Sequence, residues 1–175
     1  MTDQLEPRVA ILMGSDSDMP VMSEAARILR LLEVEFDLHV TSAHRTPERT
    51  VRILNESVER GVQVFIVGAG GAAHLAGVAA AHTTRPVLGV PLTASDLGGL
   101  DALLATVQMP AGIPVGTLAI GKAGAANAAW LAAAIIALGD EALGDRLAEQ
   151  RRLMADKVAR KSEAARKQID TLLRG

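Results

Sequence analysis

The chain has 175 residues, 49% of them hydrophobic, a formal net charge of −2 and no cysteine. That length carries one domain with ample core. The absence of cysteine excludes disulfides and thiol chemistry, and the balanced charge gives no reason to expect a nucleic-acid partner. Its aromatic residues are Phe36, Phe65 and Trp130 alone, too few for a function built on stacking flavin or single-stranded bases. Met1 to Arg8 is polar and lacks the apolar core of a signal segment. The longest apolar stretch, Ala128 to Leu138, is short for a bilayer span, so the expected setting is cytoplasmic, with no membrane partner.

Val9 to Met13 is a continuous apolar run, the pattern of a buried central strand. Gly14-Ser15-Asp16-Ser17-Asp18 follows, then helical spacing from Met19 to Leu32 with Pro20 in its first turn. Apolar residues alternate at Val34, Phe36, Leu38 and Val40, which predicts a second strand with one buried face. Ser42-Ala43-His44-Arg45-Thr46-Pro47 leads into a helix from Pro47 to Arg60. Pro47 suits a first helical position, and Thr46 the N-cap before it. Val62 to Val67 predicts a third strand, running into Gly68-Ala69-Gly70-Gly71-Ala72-Ala73-His74 and a short helix, Leu75 to His82. Val87 to Val90 is a fourth strand, ended by Pro91. A helix near Leu100 to Val107, a turn-rich linker from Gln108 to Pro114, a fifth strand from Val115 to Ile120 and a helix ending near Leu138 complete the domain.

Strands and helices alternate throughout, so the sheet is expected to be parallel with helices on both faces, in the strand order 2-1-3-4-5. That order sets the loops after the first three strands side by side. Ser15 to Asp18, Ser42 to Thr46 and Gly68 to His74 would then share one crevice. The domain is expected to cover residues 1–139. From Asp140 to Arg174, apolar Leu143, Leu147, Met154, Val158, Ala165, Ile169 and Leu172 form a stripe on an otherwise charged helix of roughly 50 Å. Residues 140–175 are therefore read as an extension that packs on a neighbouring subunit, with folding back on its own sheet as the alternative.

Two apparent motifs fail on their chemistry. Gly116 to Ala123 nearly spells a P-loop, but Ala123 stands where a magnesium-holding hydroxyl is required, and the middle residues are strand-like. Gly68 to Ala73 fits a dinucleotide fingerprint, but no acid for a ribose appears near residues 85 to 92. The glycines still matter. Gly68, Gly70 and Gly71 let a ligand approach the backbone, and amides at a helix start favour anions. Asp18 either caps its helix or accepts from sugar hydroxyls. His74 is either a helix-start residue or part of the site. His39 and His82 read as solvated or structural. Arg45 suits phosphate, and His44 is of the residue type most often used to carry protons. These residues suggest a phosphorylated sugar or nucleotide. A single histidine with no metal-binding pattern and no thiol points to proton transfer, and no cofactor or metal is expected.

Val9-Ala10-Ile11-Leu12-Met13-Gly14-Ser15-Asp16-Ser17-Asp18, Ser42-Ala43-His44-Arg45-Thr46-Pro47, Gly68-Ala69-Gly70-Gly71-Ala72-Ala73-His74-Leu75, Gln108-Met109-Pro110-Ala111-Gly112-Ile113-Pro114-Val115 and the run from Val115 to Asn127 stand in order. Together they closely resemble the PurE-type (class I) N5-carboxyaminoimidazole ribonucleotide mutases over roughly Arg8 to Leu138. The resemblance implies a flavodoxin-like three-layer α/β sandwich and a homo-octamer whose C-terminal helices reach onto neighbours. It also implies transfer of a carboxylate from the exocyclic nitrogen of an aminoimidazole ribonucleotide to C4 in purine (IMP) biosynthesis. Carried over by motif, His44 is the general acid and base. Ser15, Asp18 and Arg45 bind the ribonucleotide, Ser42, Ala43, Gly70 and Gly71 line the site, and His74 lies beside it. The chain departs from the family pattern at Ala76, where proline is usual, at Gly98, where Leu-Ser-Gly-x-Asp has serine, and at Trp130, where leucine is usual. Two other functions compete. One is a carboxylase, a lyase drawing free carbon dioxide, whose relatives carry a different glycine block. The other is a non-catalytic phosphate-binding module, which would not need His44 beside Arg45.

Overall fold

The computed structural model describes residues 6–173. The chain divides into two compact units, one running to Ile136 and the other starting at Ala137. In the first, strands β1 (Val9–Met13), β2 (Phe36–Val40), β3 (Val64–Gly70), β4 (Val87–Leu92) and β5 (Gly116–Thr117) form one sheet in the order 2-1-3-4-5. All four pairings are parallel. This is the flavodoxin-like α/β architecture that the alternation of elements predicts.

Between the strands run α1 (Met19–Leu31), α2 (Pro47–Glu59), α3 (Leu75–His82), α4 (Leu100–Val107) and α5 (Lys122–Ile136). β1 is buried at every residue, as a central strand with helices on both faces must be. α1 buries Met22, Ala25, Ile28 and Leu29, spaced along one helical face, and packs with α5. On the opposite face Ala10, Leu12, Phe65 and Val67 of the sheet cluster with Ile53 and Leu54 of α2, Leu75 and Ala79 of α3, and Ala102 of α4.

Register decides where the loops emerge. Met13 pairs with Val40 on one side and with Gly68 on the other. The first three strands thus reach the same level where their chemistry-bearing loops begin.

Several elements depart from the sequence expectation. β3 continues through the glycines to Gly70, because Gly68 to Gly70 pair with Val90 to Leu92. β4 continues through Pro91 for the same reason. Proline is tolerated there because its missing amide faces the β5 side, where the ladder has already ended; the Pro91 carbonyl accepts from the Gly121 amide at 2.9 Å. β5 is two residues long instead of the expected six. Only Gly116 and Thr117 keep ladder register, although Leu118 still donates to the Gly89 carbonyl at 2.9 Å.

The segment Lys122–Gly139 has the length and the mean hydropathy, 1.3, of a bilayer-crossing helix, and so exceeds the expected run from Ala128. Within the first unit, however, α5 buries Ala128, Ala129, Ala132 and Ala133 and packs with α1, β3 and β4, as a core helix does.

The second unit is a single-turn 3-10 segment, Ala137–Gly139, followed by α6, Glu141–Leu172. The Asp140 carboxylate accepts from the Leu143 amide at 3.0 Å where α6 begins. Arg152 braces the helix by a two-pronged pair with Glu149, at 2.6 and 2.8 Å, and a further bond to Asp156 at 3.0 Å. Met154, Val158, Ile169 and Leu172 are exposed.

Candidate active site

The loop after β1 folds into a capping box. Ser15 is extended, its hydroxyl accepts from the Ser17 amide at 3.3 Å, and its own amide donates to the Asp18 carboxylate at 3.1 Å. A single 3-10 turn, Asp16–Asp18, runs straight into α1. Asp18 therefore does not cap α1 with its side chain, one of the two roles open to it from sequence. Its carboxylate turns back toward Ser15. Burial pushes the Asp18 carboxyl above its ordinary value of 3.8; the Ser15 and Gly14 amides pull the other way, and the nearby Asp16 charge adds to the rise.

The loop after β2 braces itself. The Thr46 hydroxyl accepts from the Ser42 amide and donates to the Ser42 carbonyl, both at 3.1 Å. The Ser42 hydroxyl accepts from the Arg45 amide at 3.2 Å. Beneath the turn, the buried Thr41 and Thr50 hydroxyls bond at 2.8 Å. Thr46 occupies the expected N-cap position, but its hydroxyl serves this turn and not the α2 amides. The turn's own bonds use neither the His44 nor the Arg45 side chain, and both residues are exposed.

The third loop corrects the reading of the glycines. A Cβ on Gly68 would lie 2.4 Å from Met22 Sδ, and one on Gly70 would lie 2.3 Å from Ala94 Cβ. The protein itself fills both close approaches, α1 at the first and the β4–α4 loop at the second. Gly71 is different: its φ is +61° and the space beside it is open. The Ala73 and His74 amides close short turns on the Gly71 and Ala72 carbonyls, at 2.8 Å each. His74 sits where an N-cap would, but its ring caps nothing. Its Nδ1 lies 2.8 Å from His44 Nε2, with the two rings edge to face at 80°.

The three loops line most of an open cavity of about 350 Å³. Ser15 and Asp18 line one side, Ser42, Ala43, His44 and Arg45 a second, and Gly70 and His74 a third. Gly71 is the one expected site residue outside that lining. Gly14, Ser17, Ala69, Ala72, Leu75 and Ala94 also line it. Ala94 comes from a fourth loop and carries no chemical signature that sequence reading could detect. The near P-loop at Gly116 to Ala123 has two of its amides, Leu118 and Gly121, bonded to β4 carbonyls, so they cannot cradle a phosphate. His82 is exposed on α3 and is not part of this lining. His39 is half-buried on β2, and its Nε2 is buried with no hydrogen-bond partner among the described residues. Among the described residues no group of three or more His, Asp or Glu side chains is placed to hold a metal ion.

Chemically, the arrangement offers a proton carrier in a histidine pair, a guanidinium, a partly buried carboxylate, hydroxyls and a glycine-turn backbone around one small space. It is suited to an anionic, hydroxylated ligand and to proton transfer. Residues 8–157 match the family model described as AIR carboxylase. The N5-carboxyaminoimidazole ribonucleotide mutase of Brucella melitensis is 57% identical over 86% of this chain and 93% of its own. That of Escherichia coli K12 is 55% identical over 86% of this chain and 89% of its own. The crystal structure of Treponema denticola PurE superposes with a TM-score of 0.82 at 28% identity, covering 90% of this chain and 97% of that one. The chain therefore belongs to the AIR carboxylase family.

Proposed function

We propose that this protein is an N5-carboxyaminoimidazole ribonucleotide mutase, an isomerase that moves a carboxylate from the exocyclic nitrogen to C4 of the aminoimidazole ring in purine biosynthesis. One observation carries the site assignment: His44 and Arg45 stand on a self-braced turn and meet the glycine block across a single cavity. The mutase name borne by relatives identical at more than half their aligned positions supports the reaction.

The chemistry needs one proton that leaves and returns. His44 as imidazolium protonates the carbamate nitrogen. The C–N bond breaks and releases carbon dioxide and the neutral aminoimidazole. The enamine-like C4 then attacks carbon dioxide, forming the new C–C bond at a carbon that still bears its hydrogen. Neutral His44 removes that hydrogen as a proton, and the ring regains aromaticity. Arg45 and the Ser15 hydroxyl hold the phosphate, and Asp18 accepts from the ribose hydroxyls. Ser42 and Ala43 line the wall below the ring. The Gly70 backbone faces the migrating carboxylate, and Gly71, outside the lining, turns the chain beside it at a φ of +61°. Retention of carbon dioxide demands that the space be small and closed to water.

The protein is further read as a cytoplasmic homo-octamer without cofactor, metal, nucleic-acid or membrane partner. In that assembly the segment from Asp140 packs on a neighbouring subunit. The exposed Met154, Val158, Ile169 and Leu172 of α6 support this reading.

The lyase reading is not favoured by the names of these relatives, and isotope transfer separates the two. Substrate carrying carbon-13 in its carbamate is incubated in unlabelled bicarbonate. A mutase delivers most of the label to C4 and uses free aminoimidazole ribonucleotide with dissolved carbon dioxide poorly. Mostly unlabelled product, with efficient use of the free ribonucleotide, would assign the protein to the lyases.

A further inference from the structure

The β4–α4 loop, residues 93–99, contributes one residue to the cavity, Ala94. Its methyl group, itself exposed, lies 2.3 Å from where a Cβ on Gly70 would stand, so this loop rests directly on the last residue of β3. Little packing holds it there. Ser95, Asp96, Leu97 and Gly98 are all exposed, Leu97 at 66%. What holds it is a set of hydrogen bonds centred on Ser95. The Ser95 hydroxyl donates to Asp101 Oδ2 at 2.7 Å and accepts from the Leu97 amide at 3.2 Å. The Ser95 carbonyl accepts from the Gly98 amide at 3.3 Å. Asp101 lies in the first turn of α4, so one side chain ties the loop to the helix that follows it. The Ser95 hydroxyl, helped by backbone amides at the start of α4, holds the Asp101 carboxyl below its ordinary value.

The tie also resolves a departure in the sequence. A serine at position 98 would stand three residues before Asp101, the spacing of a capping box. This chain has Gly98 there, with φ at +62° and no hydroxyl to offer. Ser95 reaches the same carboxylate from three residues further back.

We propose that Ser95 is a positioning residue that, through Asp101, clamps the β4–α4 loop so that Ala94 stays in place as the wall beside Gly70 and limits the escape of carbon dioxide between release and recapture. The proposal rests on the mutase reading. Carbon dioxide is small and uncharged, so walls and not ion pairs must hold it. A wall fixed by one charge-assisted hydrogen bond opens more often when that bond is lost. Escape then competes with attack by C4.

The test is the fate of the label in the wild type, Ser95→Ala, Ser95→Thr and Asp101→Asn, each given carbamate-labelled substrate in unlabelled bicarbonate. The readout is the ratio of label lost to bulk to label at C4, after subtracting the loss from an enzyme-free control and at enzyme concentrations matched for turnover, so that lower activity alone does not raise it. Ser95→Ala is expected to raise that ratio by about tenfold or more, the effect of removing a hydrogen bond to a charged group. Ser95→Thr keeps the hydroxyl and is expected to restore retention. Asp101→Asn keeps an acceptor without the charge and should leak in the same direction, but less. If the wild type retains label and both Ser95→Ala and Asp101→Asn retain it equally well, Ser95 has no positioning role. If the wild type itself loses its label, the mutase reading falls and takes this proposal with it.

Discussion

His44 Nε2 and His74 Nδ1 stand 2.8 Å apart, joining two loops whose residues are 30 positions apart in the chain. A bond between two imidazole nitrogens needs one to donate and the other to accept, so the facing pair shares one proton. His74 thereby holds the orientation of the His44 ring, and the tautomers of the two rings are coupled.

Substitution of the pair separates the proton carrier from its support. His44→Asn is expected to fold, bind the ribonucleotide and lose about 10²–10⁴-fold in turnover. His74→Phe keeps an aromatic ring edge but offers no nitrogen. It should cost about 2–10-fold, the value of one neutral hydrogen bond. Turnover measured side by side tests the order. A His44→Asn enzyme within a few-fold of the wild type would remove His44 from the proton steps.

Arg45 and Ser15 should weaken binding by different routes. Among the described residues no carboxylate is paired with the Arg45 guanidinium, and the turn beneath is held by Ser42 and Thr46. Arg45→Ala is therefore expected to cost about 1.5–3 kcal/mol of affinity for the ribonucleotide phosphate while leaving the melting temperature unchanged. The Ser15 hydroxyl also accepts from the Ser17 amide. Ser15→Ala should lower affinity and also remove about 1 kcal/mol of stability as a lost cap. Titration calorimetry and thermal unfolding on both variants check the contrast; unchanged affinity in both would refute the phosphate assignment.

His39 should make stability fall on mild acidification. Burial favours its neutral form and lowers it from the ordinary 6.5; Asp37 opposes this, Arg60 and Arg49 add to it, and Glu56 opposes it more weakly. The unfolded chain then binds the proton more readily than the fold does. The neutral ring's contribution is complete above pH 6.5 and is lost as pH falls below that value toward the lowered one. Melting temperatures of the wild type and His39→Gln across this range should show a shallower acid slope in the variant. Parallel slopes would mean the buried ring is no proton sink.

If the protein is the homo-octamer proposed above, removal of residues 153–175 should dissociate it. The deletion takes away Met154, Val158, Ile169 and Leu172, exposed apolar residues on α6 that the octamer reading packs on a neighbouring subunit. Light scattering on the truncated chain reads the result directly. The parent mass would show that assembly does not depend on this helix.

Much of the fold was legible because it rests on local pattern. The apolar run Val9–Met13, the alternation ending at Val40 and the helix between Pro47 and Arg60 each report burial of a face, and burial follows from period alone. Alternating elements then imply a parallel sheet, and strand order 2-1-3-4-5 brings the first three loops together. The grouping of Ser15, Asp18, His44, Arg45, Gly70 and His74 around one cavity was legible for that reason.

Contacts between distant segments were not legible, because no local pattern encodes them. A glycine admits a ligand or a neighbouring side chain equally well; only the packed structure assigns Gly68 to Met22, Gly70 to Ala94 and leaves Gly71 open. A carboxylate at a helix start can cap forward or bind backward, and the 3-10 turn aims Asp18 at Ser15. Pro91 reads as a strand breaker until the ladder on its β5 side is seen to have ended. Thus the sequence by itself determined the elements, the sheet order and the chemical types facing the cavity, since each depends on periodicity or on residue chemistry. Only the tertiary structure decided which hydroxyl ties down the fourth loop and which imidazole His44 meets, because hydrogen bonds of that kind require distances that exist only once the chain is folded.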